Sequence, residues 1–206
     1  MNTETTTHTT ATGLDELTKI VAAVALHAST DQQRYCLTGV YITGQNIQAT
    51  DSYTLGRYTP AEPITTGQPA LINARELTTA LNNLNKAAGK ATTTATLTIT
   101  GQTWQLTATS GQTIIGSYNG QTMTAEFPNS QQLFDQAKPA ETPFEPTGIN
   151  PDYLERITKA HKKLTNKDHT PLIMAIWQTP SKPIIYTTTT EQGQLLSLIM
   201  PQRINP

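Results

Sequence analysis

Apolar side chains recur at helical spacing in three stretches of this chain. Leu14, Leu17, Val21 and Val24 mark one face of a helix over about 14–28, and Thr12 with Asp15 resembles a capping box. Leu77, Leu81 and Leu84 mark a second helix. Asn73 is its N-cap, Glu76 follows three residues on, and Gly89 is a natural stop. Tyr153, Ile157 and Leu164 mark a third, entered through Asn150 as N-cap, Pro151 and Asp152.

Each helical pattern is followed by short runs of strand character broken at Gly-containing turns. The predicted strands are 35–42 and 46–50 after the first helix. Residues 94–100, 103–109 and 113–118 follow the second. Residues 172–178, 184–188 and 195–200 follow the third. Alternation is plain in Thr96-Leu97-Thr98-Ile99 and Trp104-Gln105-Leu106, and Gly44-Gln45, Gly101-Gln102 and Gly111-Gln112 are two-residue hairpin turns. The unit of one helix plus antiparallel strands thus occurs three times, its helices starting about 60 and then about 77 residues apart. The fold class is α+β. Residues 138–148 carry Pro139, Pro143 and Pro146 and read as a linker. It separates a block at 13–137, with two units, from a half-sized block at 149–206. Residues 1–12 are Thr-rich and poor in large apolar side chains, which predicts a disordered tail.

Composition narrows function by exclusion. The 206 residues carry a formal net charge of −1, so overall charge predicts no polyanion binding. Cys36 is the single cysteine, which forbids an internal disulfide and suits a reducing cytoplasm; it reads as a core residue in an apolar strand. No run approaches the ~20 apolar residues of a membrane span. His8, His27, His161 and His169 lack the spacing of a zinc site, and no phosphate-binding Gly loop is present, so neither metal nor cofactor is expected. Trp104 and Trp177 read as core. Asp51 could serve as a general base, but a loop-bracing role fits it better. No catalytic constellation emerges, and an enzyme is disfavoured.

One local charge anomaly stands out. Arg156, Lys159, Lys162, Lys163 and Lys167 supply five of the 14 Lys and Arg residues from the third helix and its end. On a helical projection Arg156, Lys159, Lys163 and Lys167 share an arc of about 80°. That face is either a solvated helix surface or a phosphate-facing one. Lys19, Lys86 and Lys90 are weaker candidates on the other two helices, whose faces are otherwise neutral.

Two distant segments carry a resemblance. The first is 34–40 followed by Gln48-Ala49-Thr50-Asp51-Ser52-Tyr53-Thr54-Leu55, and the second is the ending Leu198-Ile199-Met200-Pro201-Gln202-Arg203-Ile204. Both are similar to the bacterial DNA sliding clamp, the beta subunit of DNA polymerase III. In that family these segments meet in a pocket that grips short peptides of polymerases and other partners. The resemblance implies a peptide-binding set of Leu37, Thr50, Ser52, Tyr53, Thr54, Leu55, Pro128, Gln132, Leu133, Tyr153, Leu198, Met200, Pro201, Gln202 and Arg203. It also implies that the cationic helix faces duplex DNA without reading its sequence, as part of a processive replication ring. Residues 14–134 look like the family's middle domain, and 148–204 like half of its last. Departures are visible: Ser52-Tyr53-Thr54 replaces the family's Gly-His-Arg, Gln132 a pocket Arg, and Gln202 a Met. The family's ring holds twelve helix-sheet units, so a ring of this chain would need four copies. The alternative is a clamp mimic or adaptor that keeps the pocket, forms no ring, and competes for partners of a host clamp.

Overall fold

A computed structural model describes residues 7–61, 69–135, 148–165, 173–176 and 182–202. In chain order these form β1 (Thr7–Gly13), α1 (Leu14–Ala25), β2 (Gly39–Ile42), β3 (Ile47–Thr50), β4 (Thr54–Pro60) and β5 (Ala70–Asn73). Next come α2 (Ala74–Ala88), β6 (Thr94–Thr100), β7 (Thr103–Ser110), β8 (Thr113–Gln121) and the short α3 (Gln131–Asp135). The chain continues with α4 (Pro151–Lys163), β9 (Met174–Ile176), β10 (Ile184–Thr190) and β11 (Gly193–Ile199). The α+β class holds. One sheet has the order β1-β6-β7-β8 and the other β5-β2-β3-β4-β11-β10-β9, and every pairing is antiparallel.

The helix signals acted at two ends of three. Asn73 Oδ1 accepts the amides of Arg75 and Glu76, and Asn150 Oδ1 accepts that of Asp152. Each such cap stabilises its helix by about 1 kcal/mol. Gly89 ends α2 at φ 61°, a backbone that a side chain would strain. At α1 the N-cap is instead Gly13, with no side-chain cap; Thr12 Oγ1 reaches Glu16 Oε2 at 3.4 Å.

Two expectations need correction. From Thr7 onward the anticipated tail is β1, which pairs with β6 over seven residues; a Thr-rich strand needs little apolar content when it extends an existing sheet. Residues 35–37 belong to a 3-10 segment, Gln32–Leu37, because Asp31 Oδ1 caps it by accepting the Gln33 amide; Cys36 is therefore half-buried in a turn and not in a strand. The strands β4 and β5 and the helix α3 lacked a clear alternation or length in the sequence. Strand β11 pairs with β4 over seven residues and makes one sheet of the two blocks. The expected linker lies outside the described residues except for Gly148, whose carbonyl accepts the Gln202 amide at 2.9 Å. His169, Lys167, Trp177 and Arg203 also lie outside them.

The main core fills the space between the helices and both sheets. Leu14, Leu17, Val21 and Val24 of α1 meet Leu77, Leu81 and Leu84 of α2 there, with Ile47, Tyr58, Leu97, Trp104 and Leu106 from the strands. α1 packs on both α2 and α4. The seam between blocks also holds a polar joint. His27 Nε2 and His161 Nε2 each lie 3.1 Å from Ser197 Oγ, and His161 Nδ1 lies 2.7 Å from Thr188 Oγ1. Both histidines are fully buried. Burial, and for His27 the neighbouring His161, pushes His27 down to about 3; burial alone pushes His161 down to about 4. A serine between two imidazoles could suggest nucleophilic catalysis, but no substrate reaches a fully enclosed group, and the trio acts as a structural bolt.

Candidate peptide-binding site

The β4–β11 ladder sets Leu55 directly opposite Leu198, which places two apolar side chains side by side on the sheet face away from α1 and α4. Behind them Ile185, Leu196, Phe127 and Phe134 complete a small cluster. Over this floor opens a cavity of about 230 Å³ lined by Thr50, Ser52, Tyr53, Thr54, Leu55, Pro128, Asn129, Ser130, Leu133, Leu198 and Met200. Nine of these eleven belong to the residues singled out from the sequence; Asn129 and Ser130 do not. The lining is mostly apolar with polar groups at its rim, the character of a site for hydrophobic peptide anchors. Half-exposed Met200 and Leu133 offer adaptable apolar surface at the mouth.

Three devices hold the walls. Asp51 Oδ1 accepts the amides of Tyr53 and Thr54 at 2.9 and 2.7 Å and the Thr54 hydroxyl at 3.2 Å. This braces a turn in which Ser52 takes φ 77° and Tyr53 is thrust outward, so Asp51 has the loop-bracing role expected of it. The second device is Arg57, which sequence reading overlooked. It is buried, donates to Gln131 Oε1 at 2.9 Å and to Ser130 Oγ at 3.2 Å, and lies over the Phe134 ring. Ser130 in turn donates to Gln48 Oε1 at 2.6 Å. Arg57 thereby pins α3 and the preceding 128–130 segment to β3 and β4, and burial pulls its pKa downward. The third is the C-terminal segment, where the Met200 amide donates to the Tyr53 carbonyl at 3.1 Å.

The remaining candidates sit around the cavity. Tyr153 stacks on Tyr53 with ring centroids 5.6 Å apart, and Arg34 donates to Ser52 Oγ at 2.5 Å while lying over the Tyr53 ring. Leu37 is buried in the 3-10 segment, Gln132 is exposed on α3, and Pro201 and Gln202 follow Met200. None of these four lines the cavity.

The cationic face of α4 is more engaged than its sequence suggests. Arg156 is ion-paired to Asp51 Oδ2 and packs on Tyr153, so it is tied to the pocket turn and is not a free phosphate contact. Its position close to the buried stripe of α4 brings it within reach of that carboxylate. Lys159 pairs with Glu155 at 2.8 Å, both largely exposed, an interaction worth about 0–1 kcal/mol. Lys163 is exposed and has no ion pair among the described residues. Lys86 and Lys90 are exposed near the end of α2, and Lys19 pairs with Asp15 at 2.7 Å. Among the described residues no cluster of His, Cys, Asp and Glu is arranged to hold a metal, and no helix is long and apolar enough to cross a membrane.

No protein-family model matches the chain, and the search of curated proteins gives no match. Solved structures do match. The C. crescentus beta sliding clamp superposes with a TM-score of 0.70 at 15% identity, over 99% of this chain and 67% of that one. The DNA polymerase III beta subunit of Thermotoga maritima gives 0.68 at 13% identity, over 96% and 66%. The Bartonella birtlesii DnaN sliding clamp, solved bound to griselimycin, gives 0.68 at 12% identity, over 99% and 68%. This chain thus spans about two thirds of the length of those clamps, and its fold is that of the bacterial DNA polymerase III beta sliding clamps.

Proposed function

We propose that this protein is a non-enzymatic binding platform whose pocket takes short linear peptides of a DNA polymerase or of other replication and repair proteins. The observation that carries this reading is the cavity over Leu55 and Leu198. Residues 50–55 and 198–200, about 150 positions apart in sequence, form two of its sides and resemble the clamp family's pocket segments, and 128–133 closes it. The floor suits a Leu or Phe anchor, while exposed Ser52 and Tyr53 offer polar contacts beside it.

As an oligomer the chain would encircle duplex DNA and tether its partner for processive replication. Three helix-sheet units cannot surround a duplex, and four copies would supply twelve. The second reading, a mimic that binds the same peptides without a ring, is favoured by one observation: Arg156 and Lys159 are already ion-paired, which weakens the cationic face. Calorimetry with a peptide carrying a Gln and a Leu-x-Leu/Phe anchor tests the pocket, with micromolar affinity expected, about −8 kcal/mol. Absence of heat with every such peptide would sink the assignment. Retention on circular DNA that is lost when the circle is cut separates ring from mimic.

A further inference from the structure

The segment 125–130 lines two separate cavities. Pro128, Asn129 and Ser130 face the pocket over Leu55 and Leu198, while Glu126 and Phe127 face a second crevice of about 400 Å³. The crevice lies where the chain passes from one sheet to the other. There the Thr122 amide donates to the Gln102 carbonyl in the β6–β7 turn at 2.8 Å, and the Met123 amide donates to the Leu71 carbonyl of β5 at 2.7 Å. Tyr41 of β2 also lines it, and its ring stacks on Phe127 with centroids 5.0 Å apart and planes 7° from parallel. Phe127 packs in addition against the cluster that floors the pocket, so one ring is shared between the two cavities and is held from both sides.

The lining suits a cation. Glu126 is its one charged side chain among the described residues; it is exposed and forms no ion pair there. Tyr41 and Phe127 beside it are half-buried. A carboxylate next to aromatic rings holds an ammonium or guanidinium by charge and by the ring quadrupole, and the rings also cover the aliphatic stem of Lys or Arg. The strand register gives the distance to the anchor pocket. Tyr41 lies opposite Gln48 of β3, and Thr50, two residues on, lies opposite Leu55 of β4. Two strand spacings and one two-residue step therefore separate Tyr41 from Leu55, a diagonal of about 12 Å. An extended peptide covers that in about three or four residues, and crossing the exposed Pro128 takes about one more.

We propose that this crevice takes a Lys or Arg side chain of the same peptide whose apolar anchor fills the Leu55–Leu198 pocket, at about four or five residues from that anchor. The inference rests on the pocket reading above and deepens it, because it gives the partner's motif a basic flank. The anchor supplies most of the affinity through apolar burial. The flank supplies selectivity: a basic residue meets Glu126 and the two rings, and an acidic residue at the same place meets a like charge.

The test is calorimetry of the full chain with anchor peptides that carry Lys, Gln or Glu at each position about three to six residues from the anchor, on either side. At one placement Lys should bind about fivefold tighter than Gln, and Glu should bind more weakly than Gln. Glu126→Gln should erase the advantage of Lys, and Glu126→Lys should reverse the order, so that the Glu peptide binds tightest. Glu126 is exposed, so both variants should keep the native urea midpoint. Anchor peptides that bind the native chain with no preference at any placement overturn this inference and leave the pocket standing. A Lys preference that survives in Glu126→Gln overturns it too, since the cation then sits elsewhere. Absence of binding by every peptide overturns the pocket reading and this inference with it.

Discussion

The Arg57 guanidinium carbon lies 3.8 Å from the centre of the Phe134 ring, 77 positions away in sequence, and this contact fastens one wall of the pocket to its floor. The same guanidinium donates to Gln131 and Ser130, so α3 is held from β4 by one buried cation. Arg57→Ala would delete two charge-assisted hydrogen bonds and a cation–π contact. We expect a stability loss of roughly 2–4 kcal/mol and at least tenfold weaker peptide binding. Arg57→Lys should rescue little, because an ammonium cannot reach both acceptors while lying flat on the ring. Urea midpoints and calorimetry read both effects; an Arg57→Ala protein that binds peptide like the native chain refutes the strut.

The floor gives a second prediction. Leu55→Ala or Met200→Ala should weaken an anchor peptide by roughly 1–3 kcal/mol, the usual cost of emptying an anchor pocket. Leu55 is buried and Met200 is half-exposed, so the two differ in their side effects. Leu55→Ala should also destabilise the fold by roughly 2–4 kcal/mol, while Met200→Ala should leave the unfolding midpoint nearly unchanged. Equal losses of stability would mean that Met200 is a core residue and not a contact surface.

Much of this was readable in advance, and the reasons for the remainder are physical. Asn73, Asn150 and Gly89 announce helix ends because their chemistry acts locally, through backbone groups within a few residues. The hairpin β6-β7 is legible for the same reason, its alternation being uninterrupted on both sides of Gly101. The pocket was legible in Leu55, Leu198 and Met200 by likeness, not by any local rule. By contrast, nothing in the sequence marks Arg57; only the return of the chain at Ser130 and Phe134 buries it. His27 and His161 give no sign of meeting across Ser197, since 170 and 36 positions separate them from it. Arg156 falls on the cationic arc in sequence because a helical projection cannot show Asp51 approaching from another element.

That histidine joint predicts an acid-sensitive fold. His27 and His161 are neutral when buried and would charge readily when unfolded, their folded pKa values being lowered to about 3 and about 4 from 6.5. Around His27 the charged groups are His161, Asp51 and Arg156, of which only Asp51 favours protonation. A lowered folded pKa means that the contribution is complete above pH 6.5 and is lost as pH falls towards 3 to 4. Each histidine should steepen the decline by at most about 1.4 kcal/mol per pH unit. Urea midpoints measured from pH 7.5 to 4.5 should therefore fall, and His161→Gln should flatten the fall. A flat profile in the native chain rules out this linkage. Gly56 guards the same joint, because a Cβ there would come within 2.3 Å of His27 Cδ2, and Gly56→Ala should destabilise without altering the pH slope.

The cationic helix supplies the last prediction. If α4 faces a ring channel, Lys159 and Lys163 are its available contacts, since Arg156 is committed to Asp51. Binding to DNA should then be weak, independent of sequence and strongly reduced by salt, with a log-log slope of about −0.9 for each neutralised phosphate. Lys159→Glu with Lys163→Glu should abolish retention on circular DNA while peptide affinity stays within twofold, because neither residue lines the pocket. Arg156→Glu should behave differently: it breaks the pair with Asp51, loosens the turn that carries Tyr53, and so lowers peptide affinity as well. Measuring both ligands for both variants separates the two faces of α4. Native retention by the double reversal would return Lys159 and Lys163 to the status of a solvated surface.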